Sequence, residues 1–294
     1  MKKIISILIA IVVMISVVGC SKEETITLAS KPMTEQFIIS EMIIALVEQE
    51  TDINLEYKAG IGGGTANIHP AMMKGEIDIY PEYTGTGWME VLKQDLINDP
   101  EELYEEVKKS YDEEFNIYWS NLYGFNDTFG LAMKKDLAEQ LNIKSYSDLA
   151  AASGDLTFGA EHDFFEREDG LIGLNNTYGM DFKKEVGMDI GLKYQAVNSG
   201  QVDVINIFST DGKLEEYNML VLDDDLNFFP SYYAATLVRQ EVLDEHPELI
   251  KVLGMLDGAI NNEEMTVMNY KVEVEKQEPR KVARDFLQGK GILN

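Results

Sequence analysis

Only one cysteine, Cys20, occurs in the 294 residues, so no intrachain disulfide can staple the fold and a hydrophobic core must hold it. Histidine is nearly as scarce. His69, His162 and His246 stand apart, with no metal-ligand spacing among them, so neither a metal nor another cofactor is expected. Lys and Arg number 25 against 52 Asp and Glu, a formal charge of −27, which argues against nucleic acid as a partner, since phosphate neutralisation needs clustered bases. Gly-x-Ser-x-Gly, His-Glu-x-x-His and paired-cysteine motifs are missing, and the chain is not expected to be an enzyme. Long apolar runs are missing too. The longest, Ile4–Val18, is interrupted by Ser6 and Ser16 and falls short of the roughly 20 residues a spanning helix needs. What is present is a 45% hydrophobic chain, ordinary for a globular protein, whose length suits about two domains.

The N-terminus has the pattern of a processing segment: Lys2 and Lys3, then the apolar run, then Val17-Val18-Gly19-Cys20. A lone cysteine after a small residue at the end of such a run resembles a bacterial lipobox, in which the thiol takes a diacylglyceryl group. That implies residues 1–19 as a lipoprotein signal peptide, Cys20 as the lipidated residue, and 20–25 as the linker that tethers the body to the outer face of the cytoplasmic membrane. Several acyl chains anchor stably where one does not.

The body opens with a βαβαβ pattern: strands at Ile26–Ser30 and Ile53–Tyr57, a helix capped by Thr34 and running to about Glu50, and a Gly60–Gly64 turn leading into a helix through Met73. The Gly run lacks a Gly-Lys-Ser/Thr ending and reads as a tight strand-to-helix turn, not a phosphate loop. Asp99-Pro-Glu-Glu102 has the cap, proline and acid spacing of a helix start. After a short helix at Ser145–Ala151 a second half begins at Leu156, with helical segments to about Val186, a strand at Lys193–Val197, a strand at Met219–Leu222, and amphipathic helices from Glu241 to Leu293. The two halves share one stretch. Gly75-Glu-Ile-Asp-Ile-Tyr-Pro-Glu-Tyr-Thr-Gly-Thr-Gly87 recurs 125 residues on as Gly200-Gln-Val-Asp-Val-Ile-Asn-Ile-Phe-Ser-Thr-Asp-Gly212, matching Asp78 to Asp203, Tyr83 to Phe208 and Gly87 to Gly212. The two Asp, set inside strand motifs, read as structural.

Open α/β sheets bind ligands outside the carboxyl ends of their strands. Tyr83 and Phe208 fall at such ends, one per half. Phe129 and Tyr232 fall on two crossings between the halves, near 125–130 and 228–234. Core packing accounts for any one of these rings. Four rings with no adjacent acidic cluster suit a quaternary ammonium, which cannot donate hydrogen bonds and is held by ring quadrupoles. Lys31 and Arg167, in equivalent strand-to-helix turns, could meet a carboxylate, with Thr86 adding a hydroxyl.

Six motifs in order make the likeness specific: Ser30-Lys-x-x-Thr-Glu35, Ile79-Tyr-Pro-Glu-Tyr-Thr-Gly-Thr-Gly87, Gly124-Phe-Asn-Asp-Thr128, Phe164-x-x-Arg-x-Asp-Gly170, Ser209-Thr-Asp-Gly212 and Phe229-Pro-x-Tyr-Tyr233. From about residue 25 to 290 the chain resembles the osmoprotectant-binding lipoproteins of ABC importers, the glycine betaine, carnitine and choline receptors of the OpuC/OpuB/ProX type. The resemblance implies an α/β type II periplasmic-binding-protein fold, two Rossmann-like lobes joined by two hinge crossings, with 26–127 plus 233–294 as lobe 1 and 128–232 as lobe 2. It implies a cage of Tyr83, Phe129, Phe208 and Tyr232, a carboxylate side of Lys31, Thr86 and Arg167, and Asp127 as a brace. It further implies a monomer that hands a quaternary-amine zwitterion to a permease and its ATPase. A choline-preferring receptor and a sensing module without transport are the alternatives. Phe stands at 129 and 208 where the family usually has Tyr.

Overall fold

The structure, a computed structural model, describes residues 25–294. The signal peptide, Cys20 and most of the linker lie outside the described residues. Two five-stranded sheets organise the rest. The first contains β1 (Ile26–Ala29), β2 (Leu55–Lys58), β3 (Ile79–Tyr83), β4 (Ile117–Trp119) and β10 (Ala234–Arg239), in the order β2-β1-β3-β10-β4. The second contains β5 (Phe129–Lys134), β6 (Thr157–Glu161), β7 (Lys184–Met188), β8 (Val204–Phe208) and β9 (Met219–Val221), in the order β7-β6-β8-β5-β9. The orders superpose term by term. In each sheet three parallel strands come from one half of the chain, and the fourth strand, reached through a crossing, runs antiparallel.

The repeated stretch explains the likeness. Asp78 Oδ2 accepts from Thr27 N at 2.8 Å, and Asp203 Oδ2 accepts from Thr157 N at 2.8 Å. Each Asp N–H returns a bond to the same residue's carbonyl, at 2.9 and 2.8 Å. Both aspartates thus pin the start of the third strand to the first, the structural role expected of them. Gly75 and Gly200 precede them with φ of +73° and +71°, the left-handed turn that lets helix give way to strand. The strands that follow, Ile79–Tyr83 and Val204–Phe208, are fully buried, which accounts for the apolar residues that open them, Ile79 and Tyr80 in one and Val204 and Ile205 in the other.

Helices cover the sheets. α1 (Thr34–Glu50) is packed on nearly every side, burying Ile38, Ile39, Met42, Ile43, Leu46 and Val47. α2 (Thr65–Met73) follows the glycine turn, where Gly63 and Gly64 have φ of +77° and +51°. α3 (Pro100–Phe115) starts as its sequence predicts, with Asp99 accepting from the N–H groups of Glu101 and Glu102. α4 (Lys135–Leu141), α5 (Tyr146–Ala152, with a Ser145–Asp148 capping box), α6 (Leu171–Tyr178) and α7 (Lys193–Asn198) flank the second sheet. The C-terminal α8 (Gln240–Glu245), α9 (Glu248–Leu253), α10 (Asn262–Glu273) and α11 (Pro279–Gly289) return to the first lobe, and α9, α10 and α11 pack on α1.

Three local expectations fail. Lys193–Val197 is a helix, not a strand: its buried residues Lys193, Tyr194, Ala196 and Val197 share one helical face, and the β-branched and aromatic content misled the strand reading. Residues 184–188, expected in a helical stretch, form β7, an edge strand paired only with β6. Its lysine, glutamate and glycine hide the strand signal, as edge strands commonly do. Thr34 does not cap α1 but is its first residue, and Met33 occupies the cap position without a side-chain bond.

The two crossings lie side by side. Asn126 and Tyr233 form an antiparallel bridge between them. Asp127 N donates to Tyr232 O at 3.0 Å, and Tyr232 N donates to Asn126 Oδ1 at 2.6 Å. The strand ends of both sheets therefore open on one shared cleft.

Candidate ligand-binding site

A cavity of about 310 Å³ occupies that cleft. Its walls include Tyr83, Phe129, Phe208 and Tyr232 together with Lys31, Thr86, Asp127 and Arg167, so the eight residues singled out in the sequence meet at one place. Tyr83 ends β3 and Phe208 ends β8. Phe129 opens β5 directly across from Phe208 in register, and Tyr232 sits on the second crossing. The Phe129 ring lies 5.1 Å from Phe208 and 5.2 Å from Tyr232, nearly perpendicular to the latter. Phe164 and Phe229 support Phe129 from behind, at 5.3 and 5.9 Å. Gly85 allows the close approach at Tyr232, since a Cβ there would lie 2.7 Å from the ring and 2.9 Å from Ser231 O.

The cations do not stand free. Lys31 Nζ pairs with Glu82 in the buried floor, and Glu82 also accepts from Thr65 Oγ1 at 2.7 Å and Tyr83 N at 2.8 Å. Arg167 grips Asp169 with two bonds, Nε to Oδ1 at 2.7 Å and Nη2 to Oδ2 at 2.5 Å, and pairs through Nη1 with Glu90 of the other lobe. The second lobe repeats the Lys31 arrangement. Lys193 Nζ lies 2.8 Å from Glu161 Oε2 and donates to Asn206 Oδ1 at 3.0 Å. Each strand-end ring carries its lysine at the same distance, Lys31 over Tyr83 and Lys193 over Phe208, both at 4.8 Å, while Arg167 lies 5.2 Å from the Phe129 ring. The expectation of rings with no acidic neighbours is therefore wrong. Tyr83 donates to Glu35 Oε1 at 2.6 Å and Tyr232 to Asp169 Oδ2 at 2.6 Å. Burial, with the adjoining carboxylates, holds both phenols far above their ordinary range, so both remain donors. Burial also raises Glu90, against the pull of Arg167.

Glu35, Glu82, Glu90, Asp169, Lys193 and Thr210 were not among the predicted site residues. Ser30-Lys-x-x-Thr-Glu35 and Ser209-Thr-Asp-Gly212 contain two of them, but nothing in one chain pairs Glu35 with Thr210 across 175 positions. Glu82 is fully buried as the counter-ion of Lys31.

Comparison with known proteins bears on this geometry. Residues 24–289 match the family described as the substrate binding domain of ABC-type glycine betaine transport system. The chain belongs to this family. Among curated relatives it is 41% identical over 271 residues to an ergothioneine transport permease/ergothioneine binding protein of Helicobacter pylori (strain G27), spanning 92% of the present chain and about half, 48%, of that protein. It is 36% identical over 272 residues to the carnitine transport binding protein OpuCC of Listeria monocytogenes serotype 1/2a (strain 10403S), covering 92% of one chain and 88% of the other. A solved structure described as a glycine betaine/carnitine/choline ABC transporter superposes with a TM-score of 0.73 at 32% identity, over 92% of this chain and 100% of that one. The family carries the type II periplasmic-binding architecture expected from the motifs, and the paired sheets described above are its two lobes. Among the described residues no helix is long and apolar enough to cross a membrane.

Proposed function

We propose that the protein is an extracytoplasmic receptor, lipid-anchored through Cys20, that binds a quaternary-amine zwitterion between its lobes and delivers it to an ABC permease and its ATPase. The lobes in this reading are 26–127 plus 233–294 and 128–232, and they act as a monomer. The observation that carries the reading is the convergence of four rings from both sheets and both crossings on one cavity, a setting suited to a cation that offers no N–H. Ligand bridging the two walls stabilises the closed arrangement by contacts that the open one lacks.

Three betaines are the first candidates: glycine betaine, carnitine and ergothioneine, the compounds for which the relatives are named. A volume of about 310 Å³ is at the lower end of the roughly 300–1,000 Å³ of ordinary small-molecule sites, and it leaves room for the larger two. Arg167 supports the zwitterion. A guanidinium has five N–H groups, and three are used by Asp169 and Glu90. A second reading, a choline-preferring receptor, is favoured by the same ion pairs, because Lys31 and Arg167 already have carboxylate partners. Calorimetric titration with the three betaines and choline separates the two: a bound betaine with weaker choline supports the first, tight choline alone supports the second, and no binding of any of the four removes the cage.

A further inference from the structure

Glu35 lies in the first turn of α1, wholly buried, and the sequence motif that contains it gives it no role. Its Oε1 accepts from the Tyr83 hydroxyl at 2.6 Å, and Gln36 donates to the same hydroxyl at 3.1 Å. Its Oε2 lies 2.6 Å from Thr210 Oγ1, which belongs to the turn after β8 in the opposite lobe. Thr210 Oγ1 is also 2.7 Å from Asp127 Oδ1, and Thr210 N donates to that oxygen at 3.2 Å. One threonine hydroxyl therefore stands between two buried carboxyl groups at hydrogen-bonding distance from both.

A hydroxyl has one proton to donate. With both carboxylates ionised, one of the two short contacts would bring oxygens together with no proton between them, and the two buried negative charges would oppose each other as well. A second proton on either carboxyl resolves this. The carboxyl O–H then donates to the hydroxyl, and the hydroxyl donates to the remaining carboxylate.

The surrounding groups leave the pair uncompensated. From α10, Asn269 donates its amide to Thr210 O at 2.9 Å, and Glu273 is shared with Lys213 at 3.9 Å. From the turn itself, Asp211 is taken up by Tyr194 Oη at 2.7 Å and Phe208 N at 3.0 Å. Lys193 of α7 lies near Asp211 but spends its ammonium on Glu161 and Asn206. Lys31 is held by Glu82. None of these cations bonds to Glu35 or Asp127.

We propose that Glu35 is a positioning residue for the cage tyrosine Tyr83 and that it shares one proton with Asp127 through Thr210, latching the two lobes, so that closure takes up a proton. When the lobes part, Thr210 leaves Glu35 and water returns to both carboxyls. Burial pushes Glu35 up to about 7 and Asp127 upward as well in the closed form. The sign follows. An acid whose closed-state value is raised favours closure below the ordinary glutamate value of about 4.5, and that advantage is lost as pH climbs to about 7. Ligand affinity should fall by up to about tenfold per pH unit across that window and level off above it. The proton itself does not depend on which ligand is bound; only its coupling to affinity rests on the function proposed above.

The test has two arms. In the first, side-chain carboxyl 13C resonances of labelled Glu and Asp are followed against pH in the wild type and in Glu35→Gln, each ligand-free and saturated with a betaine. In the saturated wild type we expect one carboxyl that stays protonated well above the ordinary range and whose titration is removed or shifted by the substitution. In the second arm, glycine betaine and ergothioneine are titrated calorimetrically between pH 5 and 8 in two buffers of different ionisation enthalpy. We expect uptake of up to one proton per ligand in the wild type, a flattened pH profile in Glu35→Gln, whose amide can donate to Thr210 while its carbonyl accepts from Tyr83, and weak binding at every pH in Glu35→Ala. Carboxyls that all titrate unperturbed, or parallel pH profiles in wild type and Glu35→Gln, overturn the proposal. If neither betaine binds, the function proposed above fails, and small-angle scattering of the ligand-free protein between pH 5 and 8 still decides the proton: the closed fraction should fall as pH rises in the wild type and stay level in Glu35→Gln, and identical profiles overturn it.

Discussion

Substitution of Glu90 should separate betaines from choline. The residue reaches from the first lobe to Arg167 of the second, and its side chain is 15% exposed. Asp169 already takes Nε and one Nη2 proton of Arg167, and Glu90 takes one Nη1 proton, which leaves one N–H on each terminal nitrogen. A ligand carboxylate on the remaining Nη1 proton would stand on the order of 5 Å from the Glu90 carboxylate, a repulsion of about 3 kcal/mol at an effective dielectric constant of about 20. Solvent at the exposed edge of Glu90 reduces that figure. Glu90→Gln removes the repulsion while its carbonyl can still accept from Arg167. The substitution also weakens the ion pair that joins the lobes, and this cost falls on every ligand alike. The informative quantity is therefore the ratio of betaine to choline affinity, measured by calorimetry on both proteins. We predict that the ratio rises at least tenfold, about 1.4 kcal/mol. A ratio that stays constant or moves toward choline would falsify the placement of the ligand carboxylate at Arg167.

Substitutions at four further positions test the rest of the account. Tyr232→Ala should weaken betaine binding by on the order of 1 to 3 kcal/mol through loss of a cage ring, and Tyr232→Phe by less, because the ring stays and only the bond to Asp169 goes; equal affinities for wild type and Tyr232→Ala would return the ring to simple core packing. Gly212→Ala would set a Cβ 2.5 Å from Tyr270 N and 2.7 Å from its Cα across the lobe boundary, so affinity should drop at least tenfold with little change in far-ultraviolet circular dichroism; full retention of affinity would show that closure does not bring these backbones together. Asp203→Ala should cost about 1 to 3 kcal/mol in urea unfolding by orphaning Thr157 N, and Asp78→Ala should cost more, since it also frees Arg239 from its 2.9 Å contact; the opposite order would contradict the equivalence of the two halves.

Much of this arrangement was legible in the sequence because it is periodic or repeated. The Gly-x-apolar-Asp-apolar stretch occurs twice, and each copy ends at an aromatic residue on a buried strand, so Tyr83 and Phe208 could be placed as opposed rings before any coordinates. The cap of α3 is a local signal and appears where its residues predict. The helix Lys193–Asn198 and the edge strand Lys184–Met188 were misread because six and five residues give too little periodicity to separate the two periods. The counter-ions of the cleft were hidden for another reason. Glu82 lies 51 positions from Lys31 and Glu90 lies 77 from Arg167, and only the folded chain brings them together. Lys31 and Arg167, which read as donors for a ligand, turn out to be partners for acids first. Glu35 was obscured further, since an acid in the first turn of a helix ordinarily needs no explanation beyond the helix dipole.

The central claim is that the four rings bind the quaternary ammonium of a zwitterion. Isothermal titration of the protein against glycine betaine, carnitine, ergothioneine and choline at one pH and salt concentration tests it most directly. We predict saturable one-to-one binding of at least one betaine, tighter than choline. Choline bound more tightly than every betaine would contradict the zwitterion, and the absence of heat with all four would contradict the cage itself.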